Sequence, residues 1–188
     1  YRQDSRCSSE LFEKDPENSL LARGPRYRLP AEMIRDNALA TSGLLIRKVG
    51  GAPVRPYEVT VSFKPLKRDK GEGLYRRSLY TFWKRTAPAP VMMSLDASKR
   101  EVCTVRRERT ASPLQALVLM NDPQLVEAAR ILGQRLLKKH GDNSAAMLEE
   151  LFRTLTGRQA AETERKILER LHNEQLKFFG TNPANAKA

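Results

Sequence analysis

Apolar side chains recur at helical spacing through the C-terminal part of the chain, from Ser112 onward. Capping residues that precede a proline, and glycines that follow an apolar stripe, mark where these helices begin and end. Short links between them favour antiparallel neighbours. The pattern predicts four helices: Leu114–Met120; one opened by Asn121-Asp122-Pro123 and ended by Gly141; one capped by Asp142 or Asn143 and ended by Gly157; and one from about Ala161 to Phe179, stopped at Gly180.

A further helix is predicted over residues 30–48. Pro30 suits the first helical position, and Gly50-Gly51 ends the helix. Glu32 in the first turn and Arg47 in the last match the direction of the helix dipole. The apolar positions that recur roughly at helical spacing are Ile34, Ala38, Leu44 and Leu45.

Three short segments predict a small β ribbon. Residues 59–63 are alternating and β-branched, which is typical of a short strand. Residues 74–85 alternate aromatic and polar side chains and predict a second strand, and residues 91–95 predict a return strand. Together with the helices, these segments indicate a mainly α fold, an assembly of about five helices with a small β ribbon.

Length and composition restrict the class of protein. The 188 residues suit a single domain over residues 1–180 with a frayed tail at 181–188. No uninterrupted apolar run approaches the roughly 18–20 residues that span a bilayer, so no membrane span is predicted. Because the chain begins without an initiator methionine, we expect it to be a fragment of a larger protein.

Side chains that carry out chemistry are sparse. Cys7 and Cys103 permit one disulfide, and the sequence does not say whether they meet. His140 and His172 do not lie at metal-ligand spacing with these thiols, so we predict no metal site, no cofactor and no catalytic residue. Enzymatic activity is the less favoured interpretation.

Positive charge is concentrated in one part of the chain. The whole sequence has a formal net charge of +12, and residues 61–110 contribute a net +8 from 13 basic and 5 acidic side chains. Interleaved aromatic residues would suit a surface that binds an anionic partner. The alternative is that many of these arginines pair with carboxylates or cap helix carbonyls inside a larger protein. The residues predicted to bind an anionic partner are Arg76, Arg77, Lys84, Arg85, Arg106, Arg107 and Arg109.

Four stretches of the chain resemble a known family. They are LLARGPRYRLPAEMIRDNALATSGLL (20–45), LYRRSLYTFWKRTAPAP (74–90), DASKREVCTVRRERTASPLQALVLMNDPQLVEAAR (96–130) and RTLTGRQAAETE (153–164). They are similar to the planctomycete-specific C-terminal domain of large proteins that also carry cytochrome-c-like segments, a family classed as of unknown function. The resemblance implies an exported protein of the periplasm or cell envelope, with haem in another domain. It supplies no catalytic residues.

We therefore expect a non-catalytic structural or interaction domain of a large exported multidomain protein. Its basic face would dock a neighbouring domain of the parent protein, an anionic polysaccharide or an acidic protein. One alternative is an accessory module of a polysaccharide-degrading or redox enzyme, which predicts convergent carboxylates in a cleft or a perturbed Cys103. The other alternative, nucleic-acid binding, is weakened because no nucleic-acid-binding motif accompanies the charge.

Overall fold

The computed structural model describes residues 4–25, 27–61, 64–84 and 86–181, and for residues 59–61 and 64–66 it describes only the backbone. Helices dominate these residues, which confirms the predicted mainly α fold with a small β ribbon. Two 3-10 turns, Gly71–Leu74 and Ser78–Tyr80, lie between the ribbon and the third helix. The elements in chain order are α1 (Ser9–Lys14), α2 (Ala31–Ser42), β1 (Val59–Val61), β2 (Lys64–Leu66), α3 (Pro90–Ser94), α4 (Pro113–Asn121), α5 (Pro123–His140), α6 (Ser144–Thr156) and α7 (Glu162–Thr181).

The boundaries of the C-terminal helices follow the predicted caps. The Asp122 carboxylate accepts hydrogen bonds from the backbone N–H groups of Gln124 and Leu125, at 3.1 and 3.0 Å, and so begins α5. Asn143 caps α6 in the same way, and Gly157 ends it in the left-handed region at φ 75°. The predicted stop of the last helix is wrong, because α7 continues through Gly180 to Thr181. The rest of the predicted frayed tail, residues 182–188, lies outside the described residues.

Consecutive packing of α5, α6 and α7 forms one of two apolar cores. Leu132 and Leu136 from α5 pack with Met147 and Leu148 from α6, and Leu168 of α7 packs against this cluster. The other core joins α2 to α3 and the residues that flank α3. Its buried members are Ala31, Ala89, Met92, Leu95 and Ala97.

Helix α2 is shorter than predicted. It ends at Ser42 because Gly43 adopts φ 84°, a left-handed conformation that terminates helices and that glycine adopts without strain. The chain then runs extended, and the backbone N–H of Ile46 donates to the carbonyl oxygen of Tyr75 at 2.9 Å. The predicted end at residue 48 is therefore wrong.

Only the first of the three predicted strands exists. β1 pairs antiparallel with β2, with Val59 opposite Leu66, while residues 62 and 63 lie outside the described part of the chain. The strand predicted over residues 74–85 is wrong, since this segment contains a 3-10 turn at Ser78–Tyr80 and single bridges at Arg76 and Thr81. The strand predicted over residues 91–95 is also wrong, because Pro90 occupies the first position of α3.

Candidate functional site

A buried arginine lies on the inward stripe of α2. Arg35 is 2% exposed. It lies four residues after Ala31 and four residues before Leu39, so the three side chains share one face of the helix. A guanidinium cannot be deprotonated under ordinary conditions and must find acceptors when it leaves water. The hydrogen-bond partners of Arg35 therefore determine which parts of the fold this face of α2 is joined to.

Backbone and side-chain oxygens from two other parts of the fold satisfy Arg35. Its guanidinium donates to Gln124 Oε1 at 2.7 Å, to the Leu74 carbonyl at 2.6 Å, and to the Arg76 carbonyl and Ser78 Oγ at 2.9 and 3.1 Å. Burial lowers the pKa of Arg35 from its usual value, although the nearby Tyr57 and acidic groups oppose that shift. Arg35 thus cross-links α2, the segment 74–78 and the start of α5.

Titratable neighbours of Arg35 respond to the same low-dielectric surroundings. Burial raises the pKa of Tyr57 to about 12, and the Arg35 guanidinium, 5.9 Å from the Tyr57 ring centroid, partly offsets that rise. Burial also raises the pKa of Asp122, whose bonds to the N–H groups of Leu125 and Gln124 act in the opposite direction. These groups are enclosed, and we assign them to the polar interior of the fold.

Arg76 is also an interior residue. It is 6% exposed, and its guanidinium donates to the carbonyl oxygens of Lys48, Gly50 and Ala52. The same guanidinium stacks on the ring of Tyr80, 4.0 Å from the centroid. The structure therefore places Arg76 inside the fold, where it fastens the segment 48–52, and not on the predicted basic face.

A long basic loop emerges beside α3 and is closed at its base by side chains. We name residues 97–109 the arginine loop. The Asp96 carboxylate accepts hydrogen bonds from the backbone N–H of Thr110 at 2.7 Å and from the Thr110 hydroxyl at 2.8 Å. Arg28 forms an ion pair with Asp96 and donates to the Thr110 carbonyl at 3.1 Å. The two ends of the loop are thereby held together, as in a compact surface loop.

The body of the arginine loop is attached to the fold at three further points. The indole N–H of Trp83 donates to the Lys99 carbonyl at 2.9 Å, and Arg100 stacks on the Trp83 ring at 5.1 Å. Arg107 pairs with Glu32 of α2 at 3.1 Å. The guanidinium of Arg109 lies 4.1 Å from the centroid of Tyr27. These contacts fix the backbone of the loop while leaving its basic groups at the surface.

The remaining residues of the predicted binding set occupy different places. Arg106 is exposed and, within the described residues, has no salt-bridge partner. Arg77 is exposed and pairs with Asp36 at 3.6 Å, one helical turn along α2 from Glu32. Lys84 is half-buried beside Phe82, and Arg85 lies outside the described residues. The structure places Arg106, Arg107 and Arg109 on one exposed loop.

Sequence reasoning missed three residues that organise this region. Arg35, Arg28 and Asp96 hold the loop and its support in place, and none of them belongs to the predicted set. A signal existed for Arg35, because a lone charge stood between apolar residues at four-residue spacing. Nothing local in the sequence marks Arg28 or Asp96, since their partners lie 82 and 14 residues away along the chain.

A cleft formed by the arginine loop is lined by both basic and acidic side chains. This cleft of about 310 Å³ contains Asp96, Glu101 and Glu108 together with four basic side chains.

In the described part of the chain, no group of three or more histidine, cysteine or acidic side chains could hold a metal ion. Cys103 is an exposed free thiol and Cys7 is free as well. Among the same residues, no helix is both long and apolar enough to cross a bilayer.

Asp96 should make the closure of the arginine loop dependent on pH. Burial opposes its ionisation, but the Thr110 N–H and hydroxyl and the Arg28 guanidinium outweigh burial and hold the pKa of Asp96 below its usual value. A carboxylate with a lowered pKa stabilises the fold above its unfolded-state pKa of about 4, and this contribution is lost as the pH falls further.

Replacing Asp96 with asparagine tests this closure. Asp96 has φ 58°, which asparagine also tolerates, so the substitution removes the charge without adding backbone strain. We expect the free energy of unfolding to fall by about 1–2 kcal/mol at neutral pH and the deficit to shrink below about pH 4. Urea unfolding at several pH values measures both effects, with the exposed Glu108→Gln as the control. A deficit that is independent of pH would contradict the assignment.

A family model covers most of the chain. It matches residues 1–172 and describes its members as proteins of unknown function, which confirms the predicted membership in a family of that kind. No curated protein and no solved structure matches the chain. The residues of the buried Arg35 network and of the arginine loop all lie within the matched region. The chain therefore belongs to the PSD1 family of proteins of unknown function, DUF1553.

Proposed function

We propose that this chain is a non-catalytic interaction domain whose arginine loop docks an anionic partner. The observation that carries the proposal is the combination of a fixed backbone and exposed charge in residues 97–109. Asp96 and Arg28 close the loop, and Trp83, Glu32 and Tyr27 hold its body. A positioned loop loses less conformational entropy on binding than a free one, which favours affinity.

Charge within the arginine loop is largely uncompensated. The loop has five basic and two acidic residues, a net charge of +3. In the described residues, Lys99 and Arg106 make no salt bridge, and the contacts of Arg100 and Arg109 are with aromatic rings, which leave the positive charge in place. A surface of this kind attracts anionic partners and accelerates their encounter.

Titration of the full chain with polyaspartate tests the proposal. We expect binding that weakens as salt is raised from about 50 to 300 mM, since exposed charges are screened over a Debye length of about 10 Å at 0.1 M. The variant Arg106→Gln, Arg107→Gln, Arg109→Gln should bind at least about tenfold more weakly, because it removes the three clustered charges.

A matched variant controls for net charge. Lys138→Gln, Arg170→Gln, Lys177→Gln removes the same number of exposed charges from α5 and α7, away from the loop. We expect its affinity for polyaspartate to stay within about threefold of the wild type, since only screened, distant charges change. Equal weakening by the two triple variants would show that net charge alone is responsible, and the proposal would fail.

We also propose that the domain belongs to an exported multidomain protein of planctomycete type that carries a cytochrome-c-like segment elsewhere. This proposal rests on the resemblance of residues 20–45, 74–90 and 96–130 to such proteins. An antibody raised against this chain should then detect it in the periplasmic or envelope fraction of the source cells. Detection in the cytoplasmic fraction alone would contradict export.

A further inference from the structure

Helix α4 presents its apolar side chains to solvent and buries a polar one. Gln115 is 5% exposed, whereas Leu114, Leu117 and Met120 are 56%, 58% and 75% exposed. The segment from Ser112 to Asn121 contains no charged residue. Burial of such side chains is the main favourable contribution to folding and association, so a helix with this inverted arrangement marks a surface that a partner covers.

The first turn of α4 is attached to the base of the arginine loop. Gln115 Nε2 donates to Thr110 Oγ1 at 2.7 Å and to Asp96 Oδ2 at 3.3 Å, so the first turn of α4 is fastened to the closed base of the loop. The loop itself exposes two further apolar side chains, Val102 and Val105. The uncharged, apolar α4 is therefore attached to the base of a loop of net charge +3, and the two together make up the candidate docking surface.

We propose that this surface docks an acidic, amphipathic helix of a partner protein. The inference rests on the proposed function and names the class of partner for the same loop. Charge complementarity indicates acidic flanks on the partner, because Arg106, Arg107 and Arg109 lie four to seven residues before the first residue of α4, while α4 has no charge of its own. The apolar stripe of the partner covers Leu114, Leu117 and Met120. A polysaccharide or a nucleic acid would use the bases and leave these side chains in water.

Two probes of equal charge separate a protein partner from a polymer. One is a designed helical peptide of about 20 residues with leucine at i, i+3, i+4 and i+7 spacing and glutamate on the flanks. The other is a polyglutamate chain with the same number of charges. We expect the wild-type chain to bind the amphipathic peptide at least about tenfold more tightly than polyglutamate, because only the peptide buries apolar surface.

Substitutions in α4 should remove only the apolar part of the affinity. Leu117→Ser with Met120→Ser should abolish the preference for the peptide and leave polyglutamate binding unchanged. Both side chains are exposed, so the variant should fold, and circular dichroism of the variant checks this. The matched control is Leu171→Ser with Leu176→Ser, which changes two exposed leucines of α7 and should retain the preference.

The outcomes distinguish this inference from the proposed function. Equal affinity for the two probes would overturn the inference and leave the anionic docking role intact. If the chain bound neither probe, both the inference and the proposed function would be overturned. Equal binding of a peptide in which lysine replaces glutamate would overturn the charge argument. Self-association of the chain that is lost in the Leu117, Met120 variant would show that a second copy covers α4, which also overturns the inference.

Discussion

Replacing Arg35 with methionine should lower the free energy of unfolding by about 3 kcal/mol or more. Methionine has a similar length but makes no hydrogen bonds, so the Arg76 carbonyl loses its buried donor and the Leu74 carbonyl keeps only Gln124 Nε2 as a donor. Gln124 Oε1 loses its Arg35 donor as well, and three parts of the fold lose their shared cross-link. Removing one side of a buried polar network is costly because the other side stays desolvated. Urea unfolding followed by circular dichroism measures the effect.

Two variants separate the geometry of Arg35 from its charge. Arg35→Lys keeps the positive charge but loses the planar fork of donors, and we expect it to lose about 2 kcal/mol or more. Arg170→Met changes an exposed arginine of α7 and should alter the free energy of unfolding by about 0.5 kcal/mol or less. A fully stable Arg35→Lys variant would show that charge alone suffices, and a stable Arg35→Met variant would refute the structural role.

Replacing Arg76 with methionine should destabilise the fold by about 2 kcal/mol and leave the affinity for polyaspartate unchanged. Arg76 donates to the carbonyls of Lys48, Gly50 and Ala52 and stacks on Tyr80, so its loss frees the segment 48–52. The cost is smaller than for Arg35 because this segment is exposed and water can replace part of the lost hydrogen bonding.

The neighbouring residue provides the control for Arg76. Arg77 is 58% exposed at its side chain and has only a 3.6 Å pair with Asp36, so Arg77→Met should cost about 1 kcal/mol or less. Comparable destabilisation by the two substitutions would contradict the interior placement of Arg76. A marked loss of polyaspartate affinity in the Arg76→Met variant, with the fold intact, would show that Arg76 belongs to the docking surface.

Local signals predicted the C-terminal helices well. Asp122 and Asn143 cap α5 and α6 where the cap and proline pattern placed them, because capping depends only on residues a few positions apart. The same signals misplaced the end of α2, where Gly43 alone stops the helix and the apolar pair Leu44-Leu45 belongs to the chain beyond it. The left-handed conformation of one glycine ends the helix, although the apolar spacing predicted that it would continue.

Long-range contacts account for most of what the sequence did not show. The aromatic segment 74–85 resembles a strand by alternation, but Arg35 binds the carbonyls of Leu74 and Arg76 and draws the segment into turns. The predicted set of bases mixed an interior residue, Arg76, with three exposed residues of one loop. Composition gives the number of charges in a segment. Whether an arginine is buried depends on its hydrogen-bond acceptors, and for both Arg76 and Arg35 these lie 24 or more residues away along the chain.

The arginines of this chain divide into two groups with different roles. Arg35 and Arg76 are enclosed and donate hydrogen bonds to carbonyl oxygens, so they stabilise the fold. Arg106, Arg107 and Arg109 stand on a loop that Asp96 and Arg28 close. A chain with a net charge of +12 thus uses some of its bases internally and exposes others to solvent, where the proposed partner would bind.

The measurement that tests this account most directly is the polyaspartate titration of the wild type and the two triple variants, with the unfolding of each followed in parallel. We expect the variant Arg106→Gln, Arg107→Gln, Arg109→Gln to lose at least about tenfold in affinity while its free energy of unfolding falls by only about 1–2 kcal/mol, less than for Arg35→Met alone. A stability loss larger than that of Arg35→Met, or an affinity equal to that of the Lys138, Arg170, Lys177 control, would contradict it.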